Sequence, residues 1–393
     1  MKELLFSQPM LARDPEEEHR GATSLELLFD LVSVIAIAAA ATGLHHSIAE
    51  AHYVQGLISF FAAFFMVWWA WMNFTWFASA YDNDDTVFRC LTMLSMAGSL
   101  TIAAGISTFV NSQDMILILI GFVIMRLAMI AFWLRAALHA SACRKTALCY
   151  AAGIAIVQLY WIVMILNQPG SAYVFYPLFG IGMLLELSVP YVAERQGMTR
   201  WHRHHIIERY GLLTIIVLGE TLLATTNAVQ QAAGGNFSIM LIHIAISALV
   251  VVFSLWWLYF SREDHLHEQS RSAAFTWGYG HFFIYMSGAA VGAGFAVLVD
   301  TVTGHAHIPL LIGNYAVAVP VAVFLFGLWL VRDRYAQNRS RRHVLPIFSV
   351  LILIAPPFLG LDGVTALIVI SVFLRSRLVS LDEDENKGSE PLE

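Results

Sequence analysis

The residues of this chain best able to do chemistry are acids and bases set inside otherwise apolar runs. Glu26 and Asp30 are four positions apart among Leu, Phe, Val and Ala, so a helix stacks them on one face. Glu208, Arg209 and Glu220 interrupt a second run, Glu186 a third, and Arg126 is the one basic residue in the middle of a fourth. An ionisable group near a bilayer centre costs about 2.5–3.5 kcal/mol on insertion scales. Each Leu, Ile or Val returns only about 0.3–0.6 kcal/mol, so one central glutamate cancels roughly half a dozen of them. Groups kept at that cost can bind a proton or a cation, or pair across helices.

Glu26 and Asp30 together require a cationic partner, for which Arg89, Arg126 and Arg209 are the candidates. Glu220, about three helical turns beyond Arg209 on the same face, is expected to point into the protein and is a candidate proton or cation site. Glu208 and Arg209, at the start of their run, are expected to reach water. Glu186 lies among Pro177, Gly180, Gly182 and Pro190, an interruption of the kind that lines binding sites in broken membrane helices. His243 and His281 read as single polar residues bonded across a helix interface. His45, His46, Glu50 and His52 in one connection, with Asp300, His305 and His307 in another, would meet in a divalent-metal site only if the two connections touch. They form no ligand motif, and no metal site is assigned.

The elements that carry these residues follow from composition. Of 393 residues, 58% are hydrophobic and 13% charged, against roughly 45–50% and about 25% in soluble domains. The polar residues could not cover a soluble fold of this size. The net charge of −6 and the absence of a basic stripe exclude nucleic-acid binding as a function. Cys90, Cys143 and Cys149 have no paired spacing, which leaves neither a disulfide framework nor a zinc motif. Nucleotide-binding glycine motifs and a nucleophile elbow are missing, so ATP-driven transport is disfavoured and no cofactor is expected.

A membrane helix needs about 20 mostly apolar residues. On that rule the sequence divides into about twelve spans, near 24–44, 54–79, 87–110, 115–138, 146–167, 172–194, 205–228, 237–260, 274–299, 310–331, 344–358 and 361–378. The last two are short, and Pro356, Pro357 and Gly360 between them mark a turn or break. The first run follows the acidic Glu16-Glu17-Glu18 and lacks a basic flank and cleavage site, so it reads as an uncleaved span. Basic residues fall in alternate connections, from Arg89, Arg135, Arg144 and Lys145 to Arg332, Arg334, Arg339, Arg341 and Arg342. Positive charge stays inside, which places both termini and the even-numbered connections in the cytoplasm.

The expected organisation is an all-α, polytopic transmembrane bundle. Residues 1–23 form a cytoplasmic N-terminal segment, 24–194 a first six-helix half, and 195–204 a basic connection. Residues 205–378 form a second half and 379–393 an acidic tail. The first twenty residues and the tail have no apolar face to bury and are expected to be mobile. A faint repeat suggests two parallel halves: Trp68-Trp69-Ala70-Trp71 matches Trp256-Trp257-Leu258-Tyr259, each followed by acids, Asp82 to Asp85 in one case and Glu263-Asp264 in the other. Interfacial tryptophan belts would give the same likeness.

Two motifs carry a family resemblance. Leu25-Glu26-Leu27-Leu28-Phe29-Asp30-Leu31-Val32 is similar to the opening signature of the bacterial low temperature requirement A (LtrA) family, and Glu208-Arg209-Tyr210-Gly211-Leu212 with Leu218-Gly219-Glu220 resembles its second. The Trp68–Trp71 cluster and the aspartates after it also fit, and the likeness runs from Ser24 to about Leu378. Leu28 and Ser33 stand where the usual pattern has phenylalanine. The resemblance implies a multi-span bacterial inner-membrane protein linked by name to growth in the cold, with no settled activity.

The leading functional expectation is a secondary transporter or channel-like permease for a small solute or ion. Glu26, Asp30, Arg89, Arg126, Glu186, Glu208, Arg209, Glu220 and His281 would supply its polar pathway or buried charge network. The lipid bilayer and an unknown small solute or ion are the expected partners. One alternative is a membrane-embedded enzyme acting on a lipid or isoprenoid-like substrate through Asp82, Asp84, Asp85 and Arg89 with a divalent ion. The other is a non-catalytic protein that adjusts membrane packing in the cold.

Overall fold

Long apolar runs, separated by short polar or glycine-bearing turns, fold into helices despite their many Ile and Val residues, because a bilayer leaves no water to satisfy open backbone groups. The structure is a computed structural model that describes residues 6–18, 20–167, 171–234, 238–261, 271–336 and 338–388. Among these residues twelve α-helices and no strands form. They are α1 (Ser24–Ala49), α2 (Tyr53–Tyr81), α3 (Thr86–Ser112), α4 (Ile116–His139), α5 (Arg144–Leu166) and α6 (Ala172–Ala193). There follow α7 (Arg203–Ala233), α8 (Ile239–Phe260), α9 (Arg271–Thr303), α10 (Leu310–Val331), α11 (Arg339–Ile354) and α12 (Pro356–Gly388).

Eleven of the helices are long and apolar enough to cross a membrane, one fewer than the twelve expected. The exception is α11, whose 16 residues extend only about 24 Å against a hydrocarbon core of about 30 Å. Its first turn is spent on Arg339, Arg341 and Arg342, and it ends at Ile354, with Ala355 as its cap and Pro356 next in the chain. Gly360 then adopts φ 55 and ψ −142 inside α12, a left-handed conformation that breaks the helix axis where the prolines and glycine pointed.

The chain separates into two compact units. One comprises Met1–Ala40 and Ala62–Leu212, the other Ala41–Phe61 and Leu213–Glu393. The core of the first is aromatic. Phe29 stacks on Phe74 at 4.2 Å, and Trp133 lies flat on Tyr150 at 4.0 Å. Gly98 and Gly121 let α3 and α4 touch backbone to backbone, since a Cβ on either would fall 2.6 Å from the other's carbonyl oxygen. In the second unit Gly294 does the same for α9 against Ala316 of α10.

The N-terminal segment departs from expectation. Residues expected to be mobile instead lie against the N-terminal end of α1 and the turn after α2. Met10 is fully buried, and Arg13 donates its backbone N–H to Ala80 O (2.8 Å) and its guanidinium to Asp82 O (3.1 Å). Arg20 is buried. One buried methionine and two well-placed arginines suffice to fix a segment that composition alone marks as polar. The side chains of the expected mobile tail, and the acidic match Glu263-Asp264, lie outside the described residues.

Candidate functional site

The first unit holds two buried acid centres. The first begins with a helix start: Thr23 caps α1, and Glu26 reaches back to it, Oε2 accepting from Thr23 N (2.8 Å) and Oγ1 (3.0 Å). This Thr-x-x-Glu capping box turns the glutamate inward. Its Oε1 lies 3.2 Å from Arg209 Nη1, 3.1 Å from His205 Nε2 and 3.5 Å from Arg20 Nη2. One turn on, Asp30 Oδ1 accepts from Arg209 Nη2 and from the indole N–H of Trp71 (2.6 Å). Glu26, Asp30, His205 and Arg209 are all fully enclosed. Of the three candidate cations, Arg209 is therefore the partner of both carboxylates. It does not reach water as expected, whereas its neighbour Glu208 is exposed and accepts from Ala22 N at 3.1 Å. Ser33 donates to Phe29 O (2.9 Å), so the hydroxyl that replaces a family phenylalanine is spent within its own helix.

Asp82 joins this centre through Arg20, at 3.5 Å. Burial and the neighbouring Glu26 push its carboxyl up to about 6, and Arg20 only partly offsets them. Around Glu26 the described cations Arg20 and Arg209 face the carboxyls of Glu26, Asp30 and Asp82. Two guanidiniums and the His205 imidazole thus stand against three acids, and burial favours a proton on Asp82 among them.

The second centre lies deeper. Arg126 is the eleventh residue of α4, about 15 Å along its axis. Its Nη2 is 2.9 Å from Glu186 Oε1, and Glu186 also accepts from the indoles of Trp161 (3.1 Å) and Trp69 (2.8 Å). Both charged residues are buried. Pro190 stands four residues after Glu186 within α6, so the Glu186 carbonyl has no helical N–H to accept from. Gly182 is required at its place: a Cβ there would come within 2.4 Å of the Trp161 ring, which lies against α6 in order to reach Glu186. A small cavity opens beside the acid, lined by Phe65, Trp69, Phe122 and Trp161 with Met115, and it has room for a water-sized guest.

Trp69 and Trp71 connect the two centres. Two positions apart on α2, they point to nearly opposite sides and deliver one indole N–H to Glu186 and the other to Asp30. Trp68, Trp69 and Trp71 are all buried, so this cluster is no interfacial belt, whereas Trp256 and Trp257 of the second unit are exposed.

The other candidates are placed apart from these centres. Arg89 pairs with Asp84 near the surface at 2.8 Å. Glu220, in the second unit, is half-buried rather than enclosed, and no hydrogen bond or ion pair is found for it among the described residues. His281 is fully buried, its Nδ1 2.7 Å from Trp277 O and its Nε2 3.1 Å from Tyr259 OH across α8 and α9. His243 bonds across α8 and α12 to Asp362 at 2.7 Å. Both histidines thus make the interhelical bonds expected of them. His45 meets Asp300 at 2.7 Å, yet no group of three metal-ligating side chains forms among the described residues. The three aspartates of the enzyme alternative diverge: Asp82 faces Arg20, Asp84 faces Arg89, and Asp85 caps α3 and pairs with Arg135. Burial pushes the Asp85 carboxyl up, but the bonds from Arg135, Gln8 N and Phe88 N hold it below the usual range.

Sequence reasoning missed the Arg126–Glu186 pair, the capping box and the indole donors. The Thr-x-x-Glu spacing before an apolar run was the available signal for the box. Nothing local marks the other two.

An uncharacterized protein of Rhizobium meliloti (strain 1021) is 23% identical over 347 residues, covering 81% of this chain and 79% of that one. The family model described as bacterial low temperature requirement A protein (LtrA) matches residues 21–375, which include both acid centres apart from Arg20. With its apolar helices and that match, the chain is an integral membrane protein that belongs to the LtrA family.

Proposed function

We propose that the protein is a secondary transporter or channel-like permease for a small solute or ion in a bacterial inner membrane, with both termini cytoplasmic. The observation that carries this reading is the pair of acid–arginine centres at two depths of one unit, bridged by two indoles of α2 and with a cavity beside the deeper acid. Carboxylates buried in a membrane at that cost commonly mark ion and proton routes. A cation that reached Asp30 or Glu186 would compete with the arginine paired there, which is the exchange a gated pathway needs. Glu220, half-buried and without a described partner, is a further cation or proton position. The link to growth in the cold, and a division of the chain into two six-helix halves, belong to this proposal as well.

Support for the enzyme alternative is weaker, because its three aspartates are committed to separate cations. Reconstitution tests the transporter reading. Flux of protons, sodium and potassium into proteoliposomes, with and without a panel of small solutes, should exceed that of empty liposomes and fall in D30N and E220Q. Unchanged flux in both variants removes these residues from the mechanism.

A further inference from the structure

In the second unit, the turn between α10 and α11 carries cations that no described carboxylate neutralises. Arg334 stacks on Tyr335, 4.5 Å from ring centroid to guanidinium, and donates to its hydroxyl. Arg342 folds back from α11 to the next residue, donating to Ala336 O at 2.8 and 3.3 Å. His343 is exposed beside it. Asn338 Oδ1 already accepts from the N–H groups of Ser340 and Arg341, so the helix terminus is satisfied and is not itself an anion site.

These groups cap an apolar stripe. His343, Ile347, Leu351 and Ile354 recur at helical spacing along α11 and are exposed, while Leu345, Phe348 and Ile352 on the opposite side are buried. The helix is also too short to cross the hydrocarbon core, so a bilayer around it would thin or draw headgroups in, as an arginine-bearing end favours. Tyr335, 56% exposed, has the amphipathic ring that favours that depth.

We propose that this corner binds the phosphodiester headgroup of an anionic phospholipid through Arg334, Arg342 and His343, with one acyl chain along the exposed stripe of α11. Charge complementarity selects the occupant: two guanidiniums and an imidazole beside an apolar track match a lipid that is negative at one end only. Basic clusters of this kind recognise anionic headgroups at membrane surfaces. The inference is independent of any transport activity.

The test uses the full chain purified in a neutral detergent and titrated with phosphatidylglycerol or phosphatidylcholine. Retained lipid is counted by native mass spectrometry. Phosphatidylglycerol should be retained in preference, and removal of each arginine should weaken it about fivefold, so that R334Q/R342Q loses roughly twenty-five-fold while its unfolding midpoint in phosphatidylcholine is unchanged. Added salt should weaken retention further. Equal retention of the two lipids, or a double variant that binds like the parent, overturns the proposal. So does displacement of the lipid by inorganic phosphate at equal concentration, which would make the corner a general anion site. If phosphatidylglycerol binds only after residues 381–393 are deleted, the acidic tail is the occupant and the lipid proposal fails.

Discussion

Substitution at Asp30 and Arg209 gives the sharpest energetic expectation. Asp30 Oδ1 accepts from Arg209 and Trp71 together, and Arg209 also faces Glu26 at 3.2 Å. Removing one member of a buried ion pair costs about 3–5 kcal/mol. In D30N, Glu26 still neutralises Arg209, so the cost should lie near the lower end, about 3 kcal/mol. In R209M both carboxylates lose their common cation. Arg20 and His205 can still serve Glu26, but no other described cation pairs with Asp30. That loss should approach about 5 kcal/mol. The double variant replaces the pair by an amide and an apolar chain of similar length, and should cost less than the sum by at least about 2 kcal/mol. The assay is reversible unfolding in mixed micelles, followed by tryptophan fluorescence for all four proteins of the cycle. Additive single effects to within about 0.5 kcal/mol, or an R209M variant more stable than D30N, would refute the reasoning.

Other outcomes follow from the same geometry. Because the Asp82 carboxyl is raised to about 6 in the folded protein, the fold binds its proton more tightly than the unfolded chain does; wild-type stability relative to D82N should therefore decline as pH rises from about 4 to about 6, by up to roughly 3 kcal/mol. A flat difference across that window would remove Asp82 as the proton holder. G182A places a methyl against the Trp161 ring and should cost about 1–3 kcal/mol, with a shifted tryptophan emission if Trp161 leaves Glu186; a silent variant would show that the close approach is not required. T23A removes the cap of α1 and should lower stability by about 1 kcal/mol, measured by the same unfolding. Deleting residues 1–18 should speed amide exchange at His202 and in the first turn of α7, since Glu17 O bonds His202 Nε2 at 2.9 Å just before that helix; unaltered exchange would mean that the segment is a passive appendage.

Much of the fold was legible because membrane helices declare themselves by local composition. The expected span at 310–331 coincides with α10, and most others differ by a few residues at each end. The shortness of α11 was visible in the Pro356, Pro357 and Gly360 punctuation. Pairings were harder. Glu26 and Asp30 announced a need for a cation, and Arg209 was among three candidates. The choice depends on which helices adjoin in space, and spacing along the chain carries no such information. Arg126 and Glu186, 60 positions apart, looked like separate oddities for the same reason. The Trp68–Trp71 cluster left more than one reading open, because an indole donor at a buried acid and one at a headgroup have the same sequence. Met10 and Arg13 show how few contacts anchor a segment whose composition is that of a mobile tail.

Proton movement through the Arg126–Glu186 centre tests the central claim most directly. Proteoliposomes loaded with a pH-sensitive dye and given an imposed potassium diffusion potential would be compared for wild type, E186Q and R126Q, each first shown to be folded by its unfolding midpoint. The account predicts proton or cation entry above the empty-liposome level for wild type, lost in folded E186Q. Equal entry in wild type, E186Q and empty liposomes would contradict it, leaving the two acid centres as static struts of the first unit.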